Sequence, residues 1–344
     1  MALTKKTAFN PFNKSVYHFP QAHMLNRGGM FSSVYFREWY LWQGILSDSQ
    51  GDSWGIAISL NQVVEEGTIK FPLSLEMIHL KSGEVFAFGR ELSNLNGVQE
   101  GEHEDFYFKY GEEKKWEVGY NAYNDTWTLA YVEKSKGFSL KLEVSGTDNY
   151  NILDASGVVS MGEPIERNYD PVKLLGLAFA YFSHHMGVKG TMNLNNEEYS
   201  LEGNFCFDHQ WGNFHHPSFR HSECNTIKVL FNDYRFARMD LWTIKDKKEI
   251  RSLWVDEGEV KSYAVNSKIF SLKPTEQVKL GEQEYTAGWE ATCQGRKFSI
   301  KPYHEKQLVF SIHKSVKSWA GWAEVLDLET NEHVGTAFME LYGK

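Results

Sequence analysis

The sequence predicts an all-β protein of antiparallel sheets, and three observations carry that reading. Apolar residues recur at every second position over many short segments, the pattern of strands that bury one face. The composition is 15% aromatic, with 28 glycines and only 8 prolines, which suits many strands joined by tight turns. No amphipathic helical pattern longer than about three turns is legible.

Taken in chain order, the alternation starts with Glu38, Tyr40 and Trp42 on one face, then Trp54, Ile56, Ile58 and Leu60. Trp127, Leu129 and Tyr131 repeat it, and Phe138, Leu140, Leu142 and Val144 show it most cleanly. Pro171 to Phe182 is nearly continuously apolar and fits a short helix or a buried strand. A long strand follows from Tyr199 to Trp211, then one carrying Phe236, Arg238, Asp240, Trp242 and Ile244 on one face, and later Leu308, Phe310 and Ile312. Turn signals separate these runs at Ser82-Gly83, Asn96-Gly97, Asn124-Asp125, Asn195-Asn196 and Glu257-Gly258. The charged runs Glu112–Lys115 and Lys245–Glu249 read as solvated hairpin tips. The first dozen residues and Glu163 to Pro171 read as irregular. Between Gly212 and Glu223 the alternation lapses, and Pro217 cannot donate to a central ladder. A crossover there divides the chain into 1–213 and 214–344, each long enough for a core of barrel or sandwich size.

With 36 basic and 45 acidic residues, the net charge is -9. Interspersed charges of that balance lack the footprint of a nucleic-acid or anionic-membrane binder. The longest apolar run, Leu174 to Phe182, falls short of the ~20 residues of a membrane-spanning helix. No apolar segment follows the two lysines near the amino terminus, so a cytoplasmic location is expected. Cys206, Cys224 and Cys293 are too scattered for a disulfide framework or a CxxC metal site and read as reduced, structural thiols.

The chemistry concentrates in the strand from Tyr199 to Trp211. Alternation puts Phe205, Phe207, His209 and Trp211 on one face and Cys206, Asp208 and Gln210 on the other. If the first face lines a barrel, an imidazole and an indole end it, while Asp208 points outward. Such an imidazole can pass a proton, and an indole face can hold a cation or a polyene. A carboxyl among aromatics, as at Glu38 beside Tyr40 and Trp42, can serve as a general acid. Arg238 and Asp240, two apart on one face, read either as a satisfied ion pair or as the polar centre of a ligand site. Six of the thirteen histidines, His184, His185, His209, His215, His216 and His221, fall between residues 184 and 221. No HExxH or other ligand spacing accompanies them, so no metal and no cofactor is expected. GxGxxG, P-loop and GxSxG motifs are absent as well.

The string Phe207-Asp208-His209-Gln210-Trp211-Gly212, preceded by Tyr181-Phe182-Ser183, resembles the signature of the AttH and carotenoid hydratase family. Glu38-Trp39-Tyr40 followed by Gly44 resembles that family's opening, with Tyr40 in place of a second tryptophan. Gly321-Trp322-Ala323-Glu324-Val325 and Gly335 to Leu341 resemble its closing segments. The resemblance implies two lipocalin-like antiparallel β-barrel or sandwich domains, 1–213 ending in the DHQWG strand and 214–344. It further implies a lipophilic small-molecule substrate of polyene or prenyl type, with hydration or cyclisation as the chemistry. The resemblance makes Asp208 and His209 the expected proton donors; the alternates are Glu38, which rests partly on it, and Asp240, which rests on face periodicity alone. Trp211, Tyr40, Trp42, Phe205, Phe207 and Tyr181 are expected to contact substrate, as is Trp242 on face periodicity alone. Two other expectations stand beside acid-assisted hydration: a Diels–Alder-type closure that works by folding the substrate, and a non-catalytic carrier of the same ligand.

Overall fold

The computed structural model describes residues 35–65, 68–92, 98–100, 106–112, 114–121, 123–146, 151–152, 158–160, 177–212, 223–244, 247–256, 259–263, 270–293, 295–305, 307–313 and 316–342. The alternating segments are strands: β1 Tyr35–Asp48, β2 Ser53–Glu65, β3 Thr68–His79, β4 Val85–Leu92, β5 Val98–Glu100, β6 Phe106–Tyr110, β7 Lys114–Asn121, β8 Thr126–Glu133, β9 Phe138–Ser145, β10 Asn151–Ile152, β11 Val158–Ser160, β12 Leu177–Leu194 and β13 Glu197–Gly212. A second set follows: β14 Glu223–Phe231, β15 Phe236–Ile244, β16 Lys247–Asp256, β17 Glu259–Tyr263, β18 Phe270–Leu280, β19 Gln283–Cys293, β20 Arg296–Pro302, β21 Leu308–His313, β22 Val316–Asp327 and β23 His333–Tyr342. One turn of 3-10 helix, Lys134–Lys136, is the only helical element among the described residues.

All strand pairs among the described residues are antiparallel and fall into two sheets. The first runs β4-β3-β2-β1-β13-β12-β9-β8-β7-β6-β5, with β10 and β11 on β12; the second runs β17-β16-β15-β14-β23-β22-β20-β19-β18, with β21 on β22. The chain passes between them from Gly212 to Glu223, across the stretch where alternation lapses. This is the all-β, two-part lipocalin-like architecture. The ambiguous apolar run is resolved as strand from Leu177 onward; residues 161–176, 213–222 and the first dozen lie outside the described residues, as do the turn signals Asn96-Gly97 and Glu257-Gly258.

Each sheet curls around its own interior. In the first, Phe88 of the edge strand β4 reaches Phe138 of β9 and Tyr131 of β8, with ring centroids 4.4 and 5.2 Å apart. One core therefore joins Tyr40, Trp42, Leu60, Phe108, Trp127, Leu129, Leu140 and Phe207, and each such side chain contributes about 1.5–3 kcal/mol on burial. The second core holds Ile227, Met239, Tyr285, Trp289, Phe298, Trp319 and Leu341. Local chemistry sets the connections: Asn195 and Asn196 take φ of 55° and 66°, the left-handed values of a two-residue hairpin turn between β12 and β13.

The outer faces of the two sheets also meet. Leu41, Ala57 and Ile78, which alternate with interior residues of the first sheet, pack with Ala320, Trp322 and Phe338 of the second. The strands of this seam are buried on both sides, so their polar outward residues are enclosed rather than solvated.

Candidate functional site

Strands β1 and β13 are neighbours, and their register places Tyr40 opposite His209 and Trp42 opposite Phe207. Directly opposed residues share a face; here it is the interior of the first sheet. His209 Nε2 lies 2.8 Å from Glu38 Oε1, and both side chains are fully buried. The Tyr40 hydroxyl donates to the same oxygen at 3.3 Å. The Tyr40 ring stacks on the imidazole, 4.0 Å between centroids and 16° between planes. Trp42 continues the wall, 5.1 Å from Phe207 and 5.0 Å edge-on from Trp127, and Tyr120 lies 4.8 Å from Trp127. Phe205 is buried on the same face. Glu38 and His209, 171 positions apart in sequence, thus form one hydrogen-bonded pair at the head of an aromatic interior.

Asp208 faces the other way. Its carboxylate accepts from Arg238 Nη1 at 3.0 Å, and Lys228 Nζ lies 2.9 Å away; Gln210 Nε2 donates to both of its oxygens at 2.9 Å. Arg238 Nε also donates to Asp240 Oδ2 at 3.1 Å, Thr226 Oγ1 donates to Asp240 Oδ1 at 2.7 Å, and Lys228 reaches Glu340 at 3.2 Å. Burial by itself pushes the Asp208 carboxyl up, but Lys228 and Arg238 beside it, with hydrogen bonds from Lys228 and Gln210, hold it below the ordinary aspartate value. Burial likewise pushes Lys228 down, and Asp208 and Glu340 overcome this and raise it. Two cations and three carboxylates from β13, β14, β15 and β23 therefore form an ionic network in the seam between the sheets. Of the two readings of Arg238 and Asp240, the satisfied ion pair is what this geometry contains.

The structure thus brings together His209, Glu38, Tyr40, Trp42, Phe205 and Phe207, and separates them from Asp208 and Asp240. The backbones of Trp211 and Tyr181 pair with those of Glu38 and His209, and that of Trp242 pairs with Cys224; their side chains lie outside the described residues. Trp127 is legible only as a strand residue and Tyr120 of β7 not at all, because nothing in a single sequence says that β7 and β8 curl over β1.

The histidine cluster divides. A bulge between Ser183 and Met186 of β12 turns His184 outward, where it stacks on Phe236 at 5.1 Å and 3°; burial lowers it to about 3. His185 Nε2 lies 3.0 Å from the Arg235 carbonyl. His215, His216 and His221 lie outside the described residues. No group of three or more His, Cys, Asp or Glu side chains that could hold a metal occurs among the described residues. Cys206 and Cys293 are buried and free, and burial pushes each thiol up to about 12.

No family model and no curated protein matches the sequence. Among solved structures the chain is similar to a provisionally assigned AttH from Nitrosomonas europaea, with TM-score 0.72 and 14% identity over 95% of this chain and 96% of that one. It is similar to kievitone hydratase from Nectria haematococca, with TM-score 0.68 and 9% identity over 100% of this chain and 96% of that one. It is also similar to CghA solved with Sch210972, with TM-score 0.56 and 12% identity over 90% of this chain and 89% of that one. Identities this low establish a shared fold.

Proposed function

We propose, from that shared fold and the buried Glu38–His209 pair, that the protein is an enzyme that hydrates or cyclises a lipophilic polyene or prenyl-type small molecule inside its first sheet. The observation that supports this most is the 2.8 Å contact between His209 and Glu38 in an interior walled by Tyr40, Trp42, Trp127 and Phe207. A hydratase is among the proteins of this fold.

Protonating an isolated alkene needs an acid close to the carbon and surroundings that tolerate a cation. The carboxyl–imidazole pair is the acid; positioned proton transfer of this kind contributes typically 10²–10⁴-fold. The aromatic faces supply the second requirement, since a desolvated cation over an indole or phenol gains about 2 kcal/mol or more. Tyr40 does two jobs, stacking on the imidazole and bonding the carboxyl oxygen, and so sets the orientation of both members. Asp208 and Asp240 act in this reading as the fastening between the sheets, and Trp211 and Tyr181, whose backbones pair with Glu38 and His209, are kept as substrate contacts. The two sheets correspond to units 1–213 and 214–344, with the chemistry in the first.

The test is mass spectrometry of organic extracts from the purified protein, expressed in its native host, wild type beside His209→Ala and Glu38→Gln. Both variants are expected to retain an unreacted precursor, with turnover down by about 10²–10⁴-fold. The same product from all three proteins would overturn the acid assignment in favour of closure by substrate folding. An identical, unmodified ligand in all three would make the protein a carrier.

A further inference from the structure

In the β1–β2 register Gln62 stands directly across from Glu38, as Leu60 stands across from Tyr40. Opposed residues project to one face with their Cβ atoms about 4.5–5.5 Å apart, so the Gln62 carboxamide belongs to the interior that holds the Glu38–His209 pair. Gln62 is 6% exposed, and its Oε1 is enclosed with no hydrogen-bond partner among the described residues. Native folds seldom leave a buried amide oxygen in that condition unless something else occupies its lone pairs. The neighbouring amide is committed: Asn61 Nδ2 donates to Ser59 Oγ at 3.1 Å and to the Pro72 carbonyl at 3.3 Å. Gln43 belongs to the opposite face, where it lies beside the Cys206 thiol, its register partner, rather than an interior residue.

We propose that Gln62 is a specificity-determining residue whose amide oxygen accepts a hydrogen bond from an O–H group at the reacting carbon, water before hydration and the product hydroxyl after it. The inference rests on the hydration reading above. The site then takes an isoprenoid-type apolar chain that ends the reaction with one oxygen beside Gln62. In the step, the Glu38–His209 pair delivers a proton to one alkene carbon, and the water oxygen held by Gln62 bonds to the other. That water releases one proton, which returns to the pair; nothing is oxidised or reduced.

The experiment is a titration of tryptophan fluorescence in the full chain with nerolidol, a tertiary isoprenoid alcohol, and with farnesene, a hydrocarbon of the same skeleton. Wild type is expected to bind the alcohol about three- to tenfold more tightly, the value of one hydrogen bond. Gln62→Met is expected to bind both equally, with its affinity for the hydrocarbon unchanged. If circular dichroism shows that this variant does not fold, Gln62→Asn, which withdraws the amide by one methylene, must lose the same preference. A preference retained in the folded variant, or absent from wild type that binds both probes, overturns the inference alone. Failure of wild type to bind either probe overturns the lipophilic-site reading and the inference with it.

Discussion

Asp208 and His209 are adjacent in the chain and point into different chemistry. A strand sends successive side chains to opposite faces, so the imidazole enters the interior with Glu38 while the carboxylate enters the seam with Lys228 and Arg238. The seam also holds Glu76, buried on β3 with Oε2 unpartnered. Burial, with the Glu340 charge adding to it and a Ser74 hydrogen bond opposing it, raises the Glu76 carboxyl well above 4.5. An acid raised on folding costs stability as pH climbs from its unfolded value through its folded one, because the unfolded chain releases the proton first. Glu76→Gln is therefore expected to raise Tm at pH 7–8, by about 2–4 °C per kcal/mol recovered, and to have little effect near pH 4. Thermal unfolding followed at both pH values checks this; an equal shift at both would point to packing instead.

At the scale of elements, the seam works because β2 comes close to the second sheet at a glycine. A Cβ built on Gly55 would strike the indole of Trp322, which is itself buried. The ring has nowhere to move, since it packs with Phe338 at 5.1 Å and with Leu41 and Ala57. Gly55→Ala is expected to cost about 1–3 kcal/mol by overpacking, read as a lower urea midpoint with unchanged slope. The β12 bulge has a related role. By admitting one extra residue at His184-His185 it lets His184 stack on Phe236 across the seam while Phe182 meets the same ring at a tilt of 34°, at 5.1 Å each.

For the whole molecule, the Asp208 network ties the two sheets together, and its charges set a pH window. Asp208 has a folded value below 3.8, so its contribution is present above about pH 4 and is lost as pH falls through the folded value. Lys228 has a folded value above 10.5, so its contribution is present below about pH 10 and is lost as pH rises through the folded value. Asp208→Asn leaves Lys228 and Arg238 enclosed without their shared anion, and is expected to cost about 3–5 kcal/mol at neutral pH. It should also flatten the loss of stability below pH 4. Urea denaturation at pH 3 to 7 measures both effects, and turnover in this variant should follow the folded fraction alone, unlike that of His209→Ala.

Strands, faces and several turns were legible in the sequence because each depends on residues within a few positions of one another. Period-2 alternation fixed Trp127-Leu129-Tyr131 and Phe138 to Val144 as buried, and the two asparagines marked the β12–β13 hairpin. Alternation also put Glu38 with Tyr40 and Trp42, and His209 with Phe207. It did not say that the two sets meet, because pairing β1 with β13 is a contact between chain ends of one sheet, decided by curl and register. Nor did it separate interior from seam, since both faces of these strands are buried and the usual contrast of apolar inside and polar outside is missing. The roles of Asp208, Asp240 and Gln62 therefore belong to the tertiary structure: each polar group is defined by what the packing of two sheets encloses beside it.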